Sequence, residues 1–363
     1  MRIRAFLTLL FCSFAAFPQD QALATRKVIL VMSDGLRWQE VFQGVDEALL
    51  NKESGVRDLE TMRTAYWRDT PEQRRQALMP FLWSEVASKG QIFGNRDTSS
   101  DAYVTNGRNF SYPGYNETLT GFADKRIDSN DKKYNANVTV LEWLHAKEAF
   151  RGKVAAFGAW DTFPWIINQP RAGFPVNAGY DPMTMSPMTP AMELLNTLKA
   201  ESHRDSAGEP MDALTFHTAF EYMKTQKPSV LYLSLGETDE WAHAGKYEEY
   251  IRAAHRLDHY LKTLWEQAQS MPEYAGVTSL IVTVDHGRGR APTEWKSHGA
   301  KIDETKYIWM AFLGPDTKPL GERKKVKAVK QNQIAATLAA LLGEDYRAAV
   351  PKAGKAIKDV AGR

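Results

Sequence analysis

The sequence predicts an α/β fold, a mostly parallel central sheet with helices on both faces, and three observations predict it. Five apolar runs of strand length recur along the chain: KVILVMS (27–33), KVAAFGA (153–159), SVLYLSL (229–235), SLIVTV (279–284) and YIWMAFL (307–313). They lack polar alternation, as strands buried on both faces do. Between and after them lie helical patterns with apolar residues at spacings of three and four: VTVLEWLHAKEAF (138–150), MDALTFHTAFEYMKTQ (211–226) and EEYIRAAHRLDHYLKTLWEQAQ (248–269). A strand–helix–strand alternation needs crossovers, and crossovers make parallel sheets. The last helical pattern, QIAATLAALLG (333–343), ends on Gly343, a residue suited to a helix C-terminus.

Two stretches break the alternation. Residues 43–80 are rich in charge and helix formers, and residues 161–210 carry Pro, Met, Asn and Gly with little periodicity before MELLNTLKA. Both are expected to be insertions near a site mouth, the second a cap, in a single domain spanning 25–363. Residues 1–24 are expected to be an export signal. Arg2 and Arg4 precede the apolar run AFLTLLFCSFAAF, and Ala22-Leu23-Ala24 has the small-x-small cleavage pattern. That run is shorter than the roughly 20 residues a spanning helix needs. The expectation is therefore a periplasmic or secreted protein with no membrane anchor after cleavage. Cys12, the one cysteine, leaves with the signal, which excludes thiol catalysis and Cys-ligated zinc. With 46 basic against 44 acidic side chains and no long basic block, nucleic acid is not an expected partner.

The chemistry concentrates in four fragments: VILVMSDG (28–35), ETDEWAH (237–243), VTVDHG (282–287) and KSHG (296–299). They carry Asp34, Asp239, His243, Asp285, His286 and His298. Three carboxylates and three imidazoles suit two divalent ions, zinc first, with manganese as the alternative. Asp34 and the Asp285-His286 pair each follow an apolar run directly, where an open α/β sheet presents its sites. Asp239 and His243 are four apart and share a face on a helical turn. Two divalent ions bring four positive charges and the three carboxylates remove three. The remaining charge favours an anionic substrate and an ionised hydroxyl, with Ser111 in NFSYPGYNETLTG (109–121) as the candidate nucleophile. His255, Asp258 and His259 also sit at i, i+3 and i+4. They lie inside a long helical pattern beside Arg256, where packing or a solvated face is the expectation.

The order strand-Asp, Ser-Tyr-Pro-Gly-Tyr, Asp-x-x-x-His, strand-Asp-His-Gly and a later isolated His resembles the alkaline phosphatase superfamily. It is most similar to the nucleotide pyrophosphatase/phosphodiesterase-like and phosphate-irrepressible alkaline phosphatase-like branches. The resemblance runs from about residue 27 to 343. It implies that Asp34, Ser111, Asp285 and His286 serve one zinc, while Asp239, His243 and His298 serve the other. It also implies an Asn some twenty residues past the nucleophile that holds a substrate oxygen. Asn130, Asn135 and Asn137 compete for that role, and Asn135 is favoured. The chain departs from the branches at Gly114, where they carry Asn, and has Trp160-Asp161-Thr162 where some members carry a Lys and Arg pair. The cysteine-based formylglycine motif of type I sulfatases is absent.

The expected activity is hydrolysis of phosphate mono- or diesters of small phosphorylated substrates through a phosphoryl intermediate on Ser111. The alternatives are a phosphonate or sulfate ester hydrolase, or a non-catalytic metal- or phosphate-binding protein on the same fold. Oligomeric state is left open.

Overall fold

The computed structural model describes residues 23–204 and 209–361. The expected export signal and Cys12 therefore lie almost wholly outside the described residues.

Ten strands form: β1 (Lys27–Ser33), β2 (Gln91–Phe93), β3 (Ala102–Tyr103), β4 (Val154–Gly158), β5 (Val176–Ala178), β6 (Val230–Leu235), β7 (Thr278–Thr283), β8 (Met310–Leu313), β9 (Gly321–Glu322) and β10 (Val329–Lys330). Eight make one sheet in the order β5-β4-β6-β1-β7-β8-β2-β9, and β10 pairs with β3 apart from it. The run from β5 to β7 is parallel; β8 is antiparallel to both β7 and β2. β1 lies between β6 and β7, with Val28 opposite Val230 on one side and Ser279 on the other. Six of its seven residues are buried, which is why its sequence is apolar at consecutive positions.

The four long parallel strands and the helices Asp212–Gln226, Tyr247–Ser270 and Ile334–Leu341 fall where the periodicity places them. The 138–150 pattern forms a shorter helix, Val140–His145, opened by a capping box between Thr139 and Glu142. The irregular 161–210 segment, expected to be a cap, carries regular structure of its own. It contributes β5 to the edge of the central sheet and then the helix Pro190–Glu201. A three-residue edge strand gives no periodicity to read, and the same holds for β2. Residues 43–80 fold into short helices, including Leu59–Tyr66 and Pro71–Leu78, capped by Asp58 and Thr70.

β6, β1 and β7 are neighbours and run in one direction, so their carboxyl ends open on the same edge. Asp34 follows β1, the helix Glu237–His243 follows β6, and Asp285 and His286 follow β7. This puts five of the six expected ligands along one crevice of the sheet.

Candidate metal centre

Asp34, Asp285 and His286 are each held by one polar atom and left with another unsatisfied. Tyr115 Oη donates to Asp34 Oδ2 (2.9 Å), and the Gly35 amide donates to Asp285 Oδ1 (3.1 Å). His286 Nδ1 lies 2.9 Å from the Gly287 carbonyl, a contact that fixes Nδ1 as the protonated nitrogen and leaves Nε2 its lone pair. Asp34 Oδ1, Asp285 Oδ2 and His286 Nε2 are buried without a hydrogen-bond partner. They converge: Nε2 is 3.2 Å from Asp34 Oδ1 and 3.4 Å from Asp285 Oδ2. A buried polar atom without a partner is costly, and three aimed at one point fit a cation ligand set.

The electrostatics agree. Burial, then the charge of Asp239, pushes Asp34 up to about 7, and burial with Asp34 and Asp239 pushes Asp285 well above the usual carboxylate range. Burial holds the His286 imidazole down at about 4 and, with His286 beside it, His298 at about 3. Crowded carboxylates that resist ionising together and imidazoles kept neutral are the donor chemistry a divalent ion resolves.

The second cluster is built around Asp239. Its Oδ2 is 3.1 Å from His243 Nε2, which is 2.9 Å from His298 Nε2; Asp239 Oδ1 is 3.8 Å from both His298 Nε2 and His286 Nε2. His298 Nδ1 is turned to the Asn109 carbonyl at 3.3 Å, so Nε2 faces the cluster. The His286 and His298 rings stack at 4.0 Å. Grouping by distance places Asp239 with His286 and His298, whereas the resemblance pairs it with His243 and His298. The short His243 contacts to both partners favour the latter, with His286 lying between the clusters.

Glycines make these approaches possible. Gly35 has φ +60°, and a Cβ there would meet Asp239 Oδ1 at 2.7 Å and Arg288 Nε at 2.9 Å. A Cβ on Gly114 would strike the Asp285 carbonyl at 2.2 Å. The departure from the Asn of the related branches is thus a packing requirement. Gly289 donates its amide to the Ser297 carbonyl (3.0 Å), folding the loop back so that His298 returns to the sheet edge.

Ser111 begins the helix Ser111–Thr120 and is buried. Its Oγ has no protein hydrogen-bond partner among the described residues. The segment around it is tied to both clusters: Asn109 through His298, Gly114 through the Asp285 backbone, and Tyr115 through Asp34. Thr118 and Thr120 are fully buried further along the helix, and Thr120 Oγ1 is spent on the Asn116 carbonyl.

Asn135, the favoured candidate for holding a substrate oxygen, is engaged within the fold. Its Nδ2 donates to Asn116 Oδ1 (3.0 Å) and the Ile166 carbonyl (3.2 Å), and its Oδ1 accepts from the Asn137 amide (2.9 Å). It is fully buried, so its hydrogen-bonding capacity is spent inside the fold. Asn137 is likewise tied to Asn116 and Asp124. Asn130 is the competitor beside the serine: its Oδ1 accepts from the Tyr112 amide (3.0 Å) and the residue is exposed. Sequence reading also missed Tyr115 and Arg288. Tyr115 is four residues after Ser111 on one helix, hence on the same face, and Arg288 stands between two glycines just past the Asp285-His286 pair.

Residues 204–345 match the family described as Metalloenzyme superfamily. No curated protein matches the chain. Among solved structures, wild-type alkaline phosphatase PafA is similar over 94% of this chain and 100% of its own, with TM-score 0.60 at 11% identity. A putative sulfatase from Bacteroides thetaiotaomicron aligns with 93% of this chain and 75% of its own (TM-score 0.58, 15% identity). Lipoteichoic acid synthase LtaP from Listeria monocytogenes aligns with 90% of this chain and 73% of its own (TM-score 0.56, 14% identity). The chain has the alkaline phosphatase-like fold, and the part of it that carries Asp239, His243, Asp285, His286 and His298 matches the metalloenzyme family model. These neighbours span phosphatases and sulfatases, so what the likenesses define is the fold. Among the described residues no helix is long and apolar enough to cross a membrane.

Proposed function

We propose that this chain is an exported two-metal phosphoesterase that cleaves phosphate mono- and diesters through a phosphoryl-enzyme intermediate on Ser111, with zinc as the resident ion. The observation that carries the reading is the convergence of three unpartnered buried ligand atoms at a sheet edge to which the helix beginning at Ser111 is tied through Tyr115 and Gly114. When bound, the two ions supply Lewis-acid stabilisation of the phosphoryl oxygens and lower the pKa of a coordinated hydroxyl. Asp34, Asp285 and His286 would hold one ion and Asp239, His243 and His298 the other. Ser111 Oγ would attack phosphorus as the bond to the leaving alcohol breaks. Water would then displace the serine and regenerate it. Asn130 is the candidate for orienting a substrate oxygen at the start of the serine helix.

The pairing of the candidate cations supports diester activity alongside monoester activity. A dianionic monoester gains from positive side chains beyond the metals. Arg37 is buried against Glu40, Arg171 is bound to Glu142, and Lys132 is neutralised by Asp161 at 2.7 Å. Parallel assays of a phosphomonoester, a phosphodiester, a phosphonate ester and a sulfate ester test this. Activity should vanish on chelation and return with zinc. Diester turnover should be appreciable and sulfate ester turnover weak. A sulfate ester cleaved faster than both phosphate esters would overturn the substrate class, and no turnover of any ester would leave a non-catalytic binding protein.

A further inference from the structure

Two buried arginines lie near the metal centre, and their surroundings differ. Arg37 donates Nε to Glu40 Oε2 (2.9 Å), Nη2 to Glu40 Oε1 and Nη1 to the Gly289 carbonyl (3.2 Å), and it lies 3.5 Å from Asp46. It is a neutralised structural group. Arg288 is equally buried but, among the described residues, its side chain hydrogen-bonds to Asp239 alone, through Nη2 to Oδ1 and to the backbone carbonyl (3.2 Å). Its Nε and Nη1 are buried without a partner. It forms no second ion pair and no fork, the arrangement that usually fixes a structural arginine. Its one ion pair among the described residues is therefore with Asp239, a carboxylate of the second cluster. Burial leaves the charge little screened by salt.

Resting on the two-metal reading above, we infer that Arg288 is a positioning residue that makes the two ion sites unequal. It ties up Asp239 Oδ1 and places a fixed positive charge beside the Asp239–His243–His298 site, so this site binds its ion more weakly. The Arg288 charge reaches Asp34 and His286 through space, but it ties up no ligand atom of the Asp34–Asp285–His286 site. Each of its three side chains keeps a donor atom free, and all three are at most 7% exposed. The second site is also the more open, with the His243 side chain 47% exposed. Gly35 is part of the device, because any side chain there would displace Arg288 and Asp239 together.

The test is zinc titration of the chelator-stripped protein against a chromophoric competitor, which reads both dissociation constants without relying on activity. Wild type should bind two zinc ions with constants at least tenfold apart. His243→Ala should abolish the weaker ion and leave the tighter within threefold. Arg288→Gln, which removes the charge but keeps a donor for Asp239, should tighten the weaker ion at least tenfold. Arg288→Lys, which keeps the charge, should leave it near wild type. Equal constants in wild type, loss of the tighter ion in His243→Ala, or a weaker second ion in folded Arg288→Gln would each overturn the inference. If Arg288→Gln does not fold, the wild-type ratio and His243→Ala decide it. Binding of fewer than two ions would instead overturn the two-metal reading, so the two failures are distinguishable.

Discussion

Two clusters of histidine and aspartate in this chain look alike in sequence and differ in structure. At the sheet edge, Asp34, Asp285 and His286 each keep a buried polar atom that no protein group satisfies. On the helix Tyr247–Ser270, every polar requirement of the buried side chains is met. Asp258 accepts the amides of Phe81 (2.8 Å) and Leu82 (2.7 Å), His255 Nδ1 lies 2.7 Å from the Leu78 carbonyl, and the His255 ring packs edge-on against Tyr66. His259 is exposed. The same residue types thus form a candidate ion site where strand ends leave donors unsatisfied and a packing joint where a neighbouring chain segment satisfies them. Satisfaction, rather than composition, separates the two.

The largest expected effect comes from Ser111, at the start of the helix tied to the sheet-edge ligands. Ser111→Ala should lower kcat by about 10³-fold or more, because it removes the attacking oxygen, while metal content measured by elemental analysis stays at the wild-type level. Near-normal turnover would mean that Ser111 is not the nucleophile and that the comparison identifies ligands without identifying the chemistry.

Asp34→Asn should cost activity by about 10²-fold or more through loss of an ion, yet it should stabilise the metal-free protein at alkaline pH. The sign follows from the folded-state value near 7, raised above the unfolded carboxylate by burial and by Asp239. A group raised in this way contributes stability that is fully present below about pH 4 and is lost as pH rises through about 7. The substitution removes that loss. The gain in unfolding free energy over wild type should therefore grow from pH 5 to pH 8 in chelator, on the order of 1 kcal/mol or more at the upper end. A gain that does not change with pH would show that the carboxyl is not strained by its neighbours.

The helix cluster should respond in the opposite manner. Asp258→Ala leaves two buried amides unpaired and should destabilise by about 1–3 kcal/mol, with specific activity of the folded protein unchanged. Burial, opposed by the Phe81 and Leu82 amides, raises this carboxyl to about 6. Its contribution is therefore largest in acid and lost as pH rises through about 6, and denaturant titrations should show the greater loss at pH 5 than at pH 8. The smallest effect belongs to His259→Ala, within about 0.5 kcal/mol and without change in metal content. A drop in bound zinc there would blur the contrast between the two clusters.

The sequence by itself determined the four long parallel strands, the main helices and the fragments bearing the expected ligands. Burial on both faces writes apolar runs, and an ion site at strand ends puts its ligands just after them. Tertiary structure alone decided the rest. β2 and β5 are three residues long and carry no period, so the irregular 161–210 segment hid a strand. Asn135 and Asn130 are indistinguishable by type and distance from Ser111. Which one faces outward depends on Asn116, Asn137 and the Ile166 carbonyl closing around the first. Arg37 and Arg288 both sit within three residues of a ligand, and only the packing shows that one is neutralised by Glu40 while the other spends its charge on Asp239. The physical reason is common to all of these: a residue's identity sets what bonds it can make, and long-range packing sets which of them are already taken.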